Sequence, residues 1–213
     1  MNINNIKWLG HASFLIQNND KNYYIDPFEL KNNPVPADII FVTHAHYDHW
    51  SPDDIQEILT PKTKIVCVRG CVGIDIGNRM IITKPFEEFD VDGVKVKTIP
   101  AYNTDPAKQQ FHSRSNDWVG YVLEIGGMKI YHAGDTDFIP EMKGLNVDIA
   151  LLPMGGTYTM NPNDMICAAN SINAKVIVPM HYKRLLGNKS NEAEQKLKSS
   201  VNGEVKILEE AQF

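Results

Sequence analysis

Cysteine is scarce, with three in 213 residues, Cys67, Cys71 and Cys167. An odd number cannot pair off within one chain, and this spacing fits none of the usual zinc patterns. They read as reduced core residues, because free cysteine is among the most frequently buried side chains. Long apolar runs are missing too: none approaches the roughly 20 residues that a helix needs to cross a bilayer, which argues against an integral membrane protein. The N-terminal MNINNIKWLGHASFLIQNND has no basic start, apolar centre and small-residue cleavage site of the kind an export signal needs, so the expected location is cytoplasmic. Basic charge is in deficit, with 21 Lys and Arg against 26 Asp and Glu and a formal net charge of -5. Nucleic-acid binding rests on clustered cations that neutralise phosphates, and scattered lysines in an acidic chain give no reason to expect it. No linker rich in Pro, Gly and Ser interrupts the chain, so a single domain over residues 1–213 is the expectation.

Apolar residues make up 43% of the chain and charged residues 22%, enough for a full globular core. Strands are expected over Ile6 to Ile16, Tyr23 to Ile25, Ile39 to Thr43, Lys64 to Val68, Gly93 to Ile99, Val119 to Ile125, Lys129 to His132, Ile149 to Leu152, Val176 to Val178 and Val205 to Leu208. Gly126-Gly127 between two such runs predicts a hairpin. Ser51-Pro52-Asp53-Asp54 and Asn161-Pro162-Asn163-Asp164 each place a capping side chain, a first-turn proline and an acid where a helix begins. A third helix is expected over Asn191 to Val201, stopped by Gly203. Strands with helices between the later ones indicate an α/β layered sandwich with mixed sheets. The polar stretch from Tyr102 to Asp117 reads as a long loop beside a binding site.

The chemistry concentrates in Ile39 to Trp50, IIFVTHAHYDHW, where His44, His46, Asp48 and His49 fall within six residues before a capped helix. Imidazole nitrogen and carboxylate oxygen are the ligands that zinc-class cations prefer. Four such side chains are hard to explain as packing, because each would be costly to bury without a partner. In extended backbone His44, His46 and Asp48 would share one face, with His49 turned away until the chain bends.

His-x-His-x-Asp-His at the end of an apolar strand resembles the signature of the metallo-β-lactamase superfamily. Trp8-Leu9-Gly10-His11-Ala12-Ser13, Ile25-Asp26-Pro27-Phe28, His132-Ala133-Gly134-Asp135-Thr136 and Pro179-Met180-His181-Tyr182 are similar, in the same order, to elements of one branch. That branch includes the L-ascorbate-6-phosphate lactonases and N-acylphosphatidylethanolamine phospholipase D. The resemblance implies a four-layer αββα sandwich. It implies two divalent metal ions, zinc in first place with manganese as the alternative. His44 and His46 would bind the first, Asp48, His49 and His181 the second, and Asp135 would bridge them.

One position departs from the pattern. Relatives place a third histidine for the first metal where this chain has Asn103, in Ile99-Pro100-Ala101-Tyr102-Asn103. His112 is the expected replacement, with a weak Asn103 amide ligand as the alternative. His11 and Asp26 are expected to support the ligands from behind, as metal-bound histidines usually give their second ring proton to such a partner. His132 reads as structural. Gly155-Gly156-Thr157-Tyr158-Thr159-Met160 could present backbone N–H groups to an anionic substrate.

The implied function is hydrolysis of an ester, lactone or phosphoester bond in a small, anionic substrate by a metal-activated water, with Asp48 orienting that water and accepting its proton. The alternative is a non-enzymatic metal or metabolite sensor with an incomplete first site. The expected partner is a small molecule, and homo-oligomerisation is left open.

Overall fold

The computed structural model describes residues 1–211. It forms two compact units, one of residues 1–84 with 208–211 and the other Pro85–Ile207. Among the described residues no helix is long and apolar enough to cross a membrane.

The first unit is built on a six-stranded sheet in sequence order: β1 (Ile6–Gly10), β2 (Ser13–Asn18), β3 (Lys21–Ile25), β4 (Ile39–Phe41), β5 (Lys64–Val68) and β6 (Met80–Thr83). β1 to β3 form an antiparallel meander, and β3 to β6 run parallel. The expected single strand over Ile6 to Ile16 is therefore two. Gly10 at φ 107° and His11 at φ 50° fold the chain back between them, a reversal that an unbroken apolar run conceals. Helix α1 (Pro52–Ile58) connects β4 to β5 and starts where expected, with the Ser51 hydroxyl accepting from the Asp54 N–H. β3 and β4 are parallel neighbours with Ile25 opposite Phe41. Their C-terminal ends thus emerge side by side, and the Asp26 N–H donates to the Phe41 carbonyl at 2.9 Å.

The second unit carries a seven-stranded sheet in the order β13, β12, β11, β10, β9, β8, β7. β7 (Glu88–Val91), β8 (Val94–Pro100), β9 (Val119–Ile125) and β10 (Met128–His132) form an antiparallel meander, and the Gly126-Gly127 hairpin is present with both glycines at positive φ. β11 (Asn146–Pro153), β12 (Asn173–Met180) and β13 (Glu204–Val205) then add in parallel. Helices α2 (Pro162–Ser171), α3 (Lys183–Leu186) and α4 (Ser190–Ser200) complete the unit. Met165, Ala168 and Ala169 of α2 join Ala150 and Leu152 of β11 and Ala193 and Leu197 of α4 in one buried cluster. Burial of that stripe, spaced at three and four residues, holds the helices to the sheet.

β6 and β7 were not expected; both are four-residue strands, and the alternating exposure of Glu88–Val91 leaves a single buried residue, Val91. Cys167 is a correction: Cys67 and Cys71 are buried, but Cys167 is exposed. It lies two residues after Met165, about 200° around the helix from the buried stripe.

Candidate metal centre

In parallel sheets, ligand-binding residues gather beyond the carboxyl ends of strands, and both units follow this rule. In the first unit, Asp26 follows β3 and the His44 to His49 segment follows β4. Only His44 and His46 keep the extended spacing. The chain turns at His46, whose carbonyl accepts from the N–H groups of His49 and Trp50 at 3.0 and 2.8 Å. Asp48 therefore does not continue the extended face; the turn places it. The ring nitrogens His44 Nε2 and His46 Nδ1 lie 3.2 Å apart, the His44 and His49 rings are 3.9 Å apart, and the ligand atoms of His11, Asp48 and His49 fall within 4.8 Å of one another.

Behind these side chains Asp26 is fully buried. Its Oδ1 accepts from the Thr43 N–H at 2.8 Å, and its Oδ2 accepts from the Thr43 hydroxyl at 2.7 Å and from His49 Nδ1 at 2.7 Å. The tautomers follow from proton counting. A carboxylate only accepts, so His49 carries its proton on Nδ1. The single Thr43 proton goes to Asp26, so Thr43 Oγ1, 3.0 Å from His44 Nδ1, accepts a proton from that nitrogen. Both imidazoles are left with Nε2 as a lone pair, the form in which histidine binds a cation. Asp48 Oδ2 sits 3.0 Å from His11 Nε2, with 13% of the His11 side chain and 21% of the Asp48 side chain exposed. That contact pairs His11 with Asp48.

In the second unit, β8, β10, β11 and β12 end along one edge of the sheet. From that edge come Asn103, Asp135, Gly155 and His181. Asp135 Oδ2 lies 3.1 Å from His181 Nε2 and 3.4 Å from His112 Nε2, and all three side chains are nearly fully buried. Asn103 is equally buried and contacts His112 Nδ1 through Oδ1 at 3.0 Å. His132 Nδ1 accepts from the Gly134 N–H at 3.2 Å, which serves the turn at Gly134. Gly156 N–H donates to the Met160 carbonyl and Met160 N–H to the Thr136 carbonyl, so these two donors hold the loop together instead of facing a substrate.

Several residues have roles here that the sequence did not assign to them. Thr43 passes the Asp26 carboxylate on to His44. Thr136 binds the Tyr102 carbonyl, and Asp137 Oδ2 accepts from the Thr104 and Asp105 N–H groups at 2.8 and 3.1 Å, so together they pin the loop that carries His112. Tyr102 itself donates to Glu141 Oε2, and burial first, then that carboxylate, push its phenol above the ordinary value. Gly155 is needed for space: a β-carbon there would stand 2.4 Å from Leu185 Cδ1 and 2.5 Å from the His181 carbonyl oxygen. The leucine tip can move, but the His181 backbone cannot without carrying the imidazole with it. Gly155→Ala is expected to destabilise the protein by about 1–3 kcal/mol and to weaken cation binding, read by thermal unfolding and by chelator competition.

His11, Asp26 and His181 hold φ of 50°, 47° and 53°. They are three of the eleven non-glycine residues at positive φ among the described residues, and histidine and aspartate are among the residue types that adopt this region most readily.

The sequence profile described as the β-lactamase superfamily domain matches residues 5–181, a span that takes in every donor in both units. The chain belongs to this superfamily. Relatives at the level of sequence are UPF0173 metal-dependent hydrolases. The one from Thermococcus onnurineus is 36% identical over 198 residues, covering 83% of this chain and 84% of its own length. A structure from Parabacteroides distasonis, assigned as a metal-dependent hydrolase, superposes with a TM-score of 0.82 at 31% identity, covering 97% of this chain and 93% of that one. A metallo hydrolase from the archaeon Ignicoccus hospitalis gives a TM-score of 0.77 at 25% identity, covering 97% and 95%. The protein is a metal-dependent hydrolase of the superfamily, with its metallo-β-lactamase fold and α/β sandwich class.

Proposed function

We propose that the two units form one hydrolase domain, cytoplasmic in location, in which their donors hold two divalent cations and cleave an ester, lactone or phosphoester bond in a small anionic molecule. The first cation would take His44, His46 and His112, and the second Asp48, His49 and His181, with Asp135 common to both. The observation that carries this reading is the tautomer arrangement behind His44 and His49, which leaves each Nε2 as a lone pair. Metal-bound histidines normally give their outer ring proton to such a partner, and this supports reading His44 and His49 as ligands. Nitrogen donors with carboxylate oxygens fit zinc best and manganese second.

Divalent cations in such a site supply a Lewis acid and lower the pKa of a water toward about 7. The chain's own residues do the rest. The Asp48 carboxylate orients the attacking water and accepts its proton. His11 Nε2, 3.0 Å from Asp48 Oδ2, holds that carboxylate in place. Asp26 and Thr43 keep the imidazoles rigid, so geometry is not re-established at each turnover. No protein nucleophile is required.

Metal removal tests the proposal. The purified protein is expected to carry two equivalents of metal by mass spectrometry and to hydrolyse at least one of bis(p-nitrophenyl) phosphate, p-nitrophenyl acetate and a γ-lactone. Dipicolinate treatment should abolish that turnover and zinc or manganese should restore it. Turnover that survives complete removal of metal would overturn the proposal.

A further inference from the structure

We propose that Asn103 is a positioning residue for His112, and that it fixes the His112 proton on Nδ1 so that Nε2 faces Asp135 as a lone pair. The inference rests on the reading above in taking His112 and Asp135 as ligands. It assigns to Asn103 a task different from ligation.

The amide's orientation is decided by its two neighbours. Nδ2 lies 2.9 Å from the Tyr158 carbonyl oxygen, an atom that only accepts, so the NH2 group belongs on that side. Oδ1 is thereby turned to His112 Nδ1 at 3.0 Å, and since an amide oxygen only accepts, Nδ1 must carry the hydrogen. The backbone repeats the link: the Asn103 N–H donates to the His112 carbonyl at 2.8 Å. The Trp118 ring stands edge-on to the imidazole at 5.6 Å between centroids. With Asn103 and His112 each 1% exposed, water is not available to compete for either contact.

A neutral His112 with its proton on Nδ1 turns a nitrogen lone pair toward a carboxylate oxygen, Nε2 to Asp135 Oδ2, at 3.4 Å. Two acceptors at that range repel each other unless a proton or a metal cation lies between them, so with the ring's proton held on Nδ1 the pair would favour taking up a cation. Asn103 thus stands to His112 as Asp26 stands to His49: an acceptor on the far nitrogen that selects the binding tautomer. A neutral amide suffices because Asp135 already supplies a carboxylate on the near side.

The test uses the full-length protein with two readouts. Two-bond proton–nitrogen correlation spectra of the metal-free protein report the His112 tautomer directly, and a chelator competition titration reports the affinity of each zinc site. The wild type should show the Nδ1–H form. Asn103→Leu, of similar volume but without an acceptor, should lose that preference and weaken one zinc site by about 10- to 100-fold. His112→Ala should weaken the same site, with no further loss in the double variant. Asn103→Asp, which keeps the acceptor, should retain the Nδ1–H form. A wild-type neutral His112 whose single proton sits on Nε2 overturns the proposal and requires no variant to fold. Asn103→Leu with a lowered melting temperature but an unchanged tautomer also overturns it. If the tautomer follows Asn103 as stated while the wild type binds no second zinc, the positioning role stands and the two-metal reading fails.

Discussion

Asp26→Asn is expected to fold and yet to lose cation binding, because one isosteric change inverts two imidazoles at once. The Thr43 N–H can only donate, so the remaining amide oxygen must stay against it, where Asp26 Oδ1 now accepts at 2.8 Å. The amide NH2 then replaces Oδ2 and points its protons at Thr43 Oγ1 and His49 Nδ1. His49 must accept on Nδ1 and moves its own proton to Nε2. The Thr43 hydroxyl, now an acceptor from the amide, turns its proton to His44 Nδ1, and His44 also becomes Nε2–H. Each inverted histidine should lower zinc affinity by about 10- to 100-fold, the usual effect of losing an outer partner. Asp26→Ala should behave differently. It strands the buried Thr43 N–H and the His49 Nδ1–H together, and should destabilise the fold by about 2–5 kcal/mol. Urea unfolding of the metal-free variants beside zinc competition titrations separates the two. Equal loss of stability with unchanged zinc affinity would mean that Asp26 is a packing residue.

Asp135→Asn carries the second large effect. His181 and His112 both address the same oxygen, Asp135 Oδ2, at 3.1 and 3.4 Å, so this carboxylate is where the second unit's donors meet. Asparagine keeps the volume, but it offers a neutral oxygen or an NH2 group that faces the imidazoles with protons. Metal content is expected to fall from two equivalents to at most one. Turnover on any substrate found should fall by at least the roughly 100-fold that loss of a mere outer partner can cause. Mass-spectrometric metal analysis and steady-state kinetics check both, with an unchanged near-ultraviolet circular dichroism spectrum as the control for folding.

How much of this was legible in the sequence differs by kind of residue. Periodicity and turn chemistry located the Gly126-Gly127 hairpin and two helix starts, because proline, glycine and capping side chains act locally. The Ile6 to Ile16 reversal escaped because the turn is made by Gly10 and by His11 at positive φ, and a histidine in that conformation has no compositional sign. Cys167 was misplaced because burial depends on the helix phase and not on residue type. At the site, His44 to His49 were legible as a cluster. Asn103 stood out only as a departure, and its contact with His112 nine residues later depends on how the loop closes under Thr136 and Asp137. Thr43 and Gly155 act through a hydroxyl proton and a missing β-carbon, neither of which a pattern of residue types reveals.

The central claim is that donors from both units bind the same cations. Anomalous diffraction at the zinc edge from crystals grown with zinc tests it most directly. The account predicts two peaks, one held by His44, His46 and His112 and the other by Asp48, His49 and His181, with Asp135 reaching both. Peaks held by the donors of one unit alone, or none at Asp135, would contradict it.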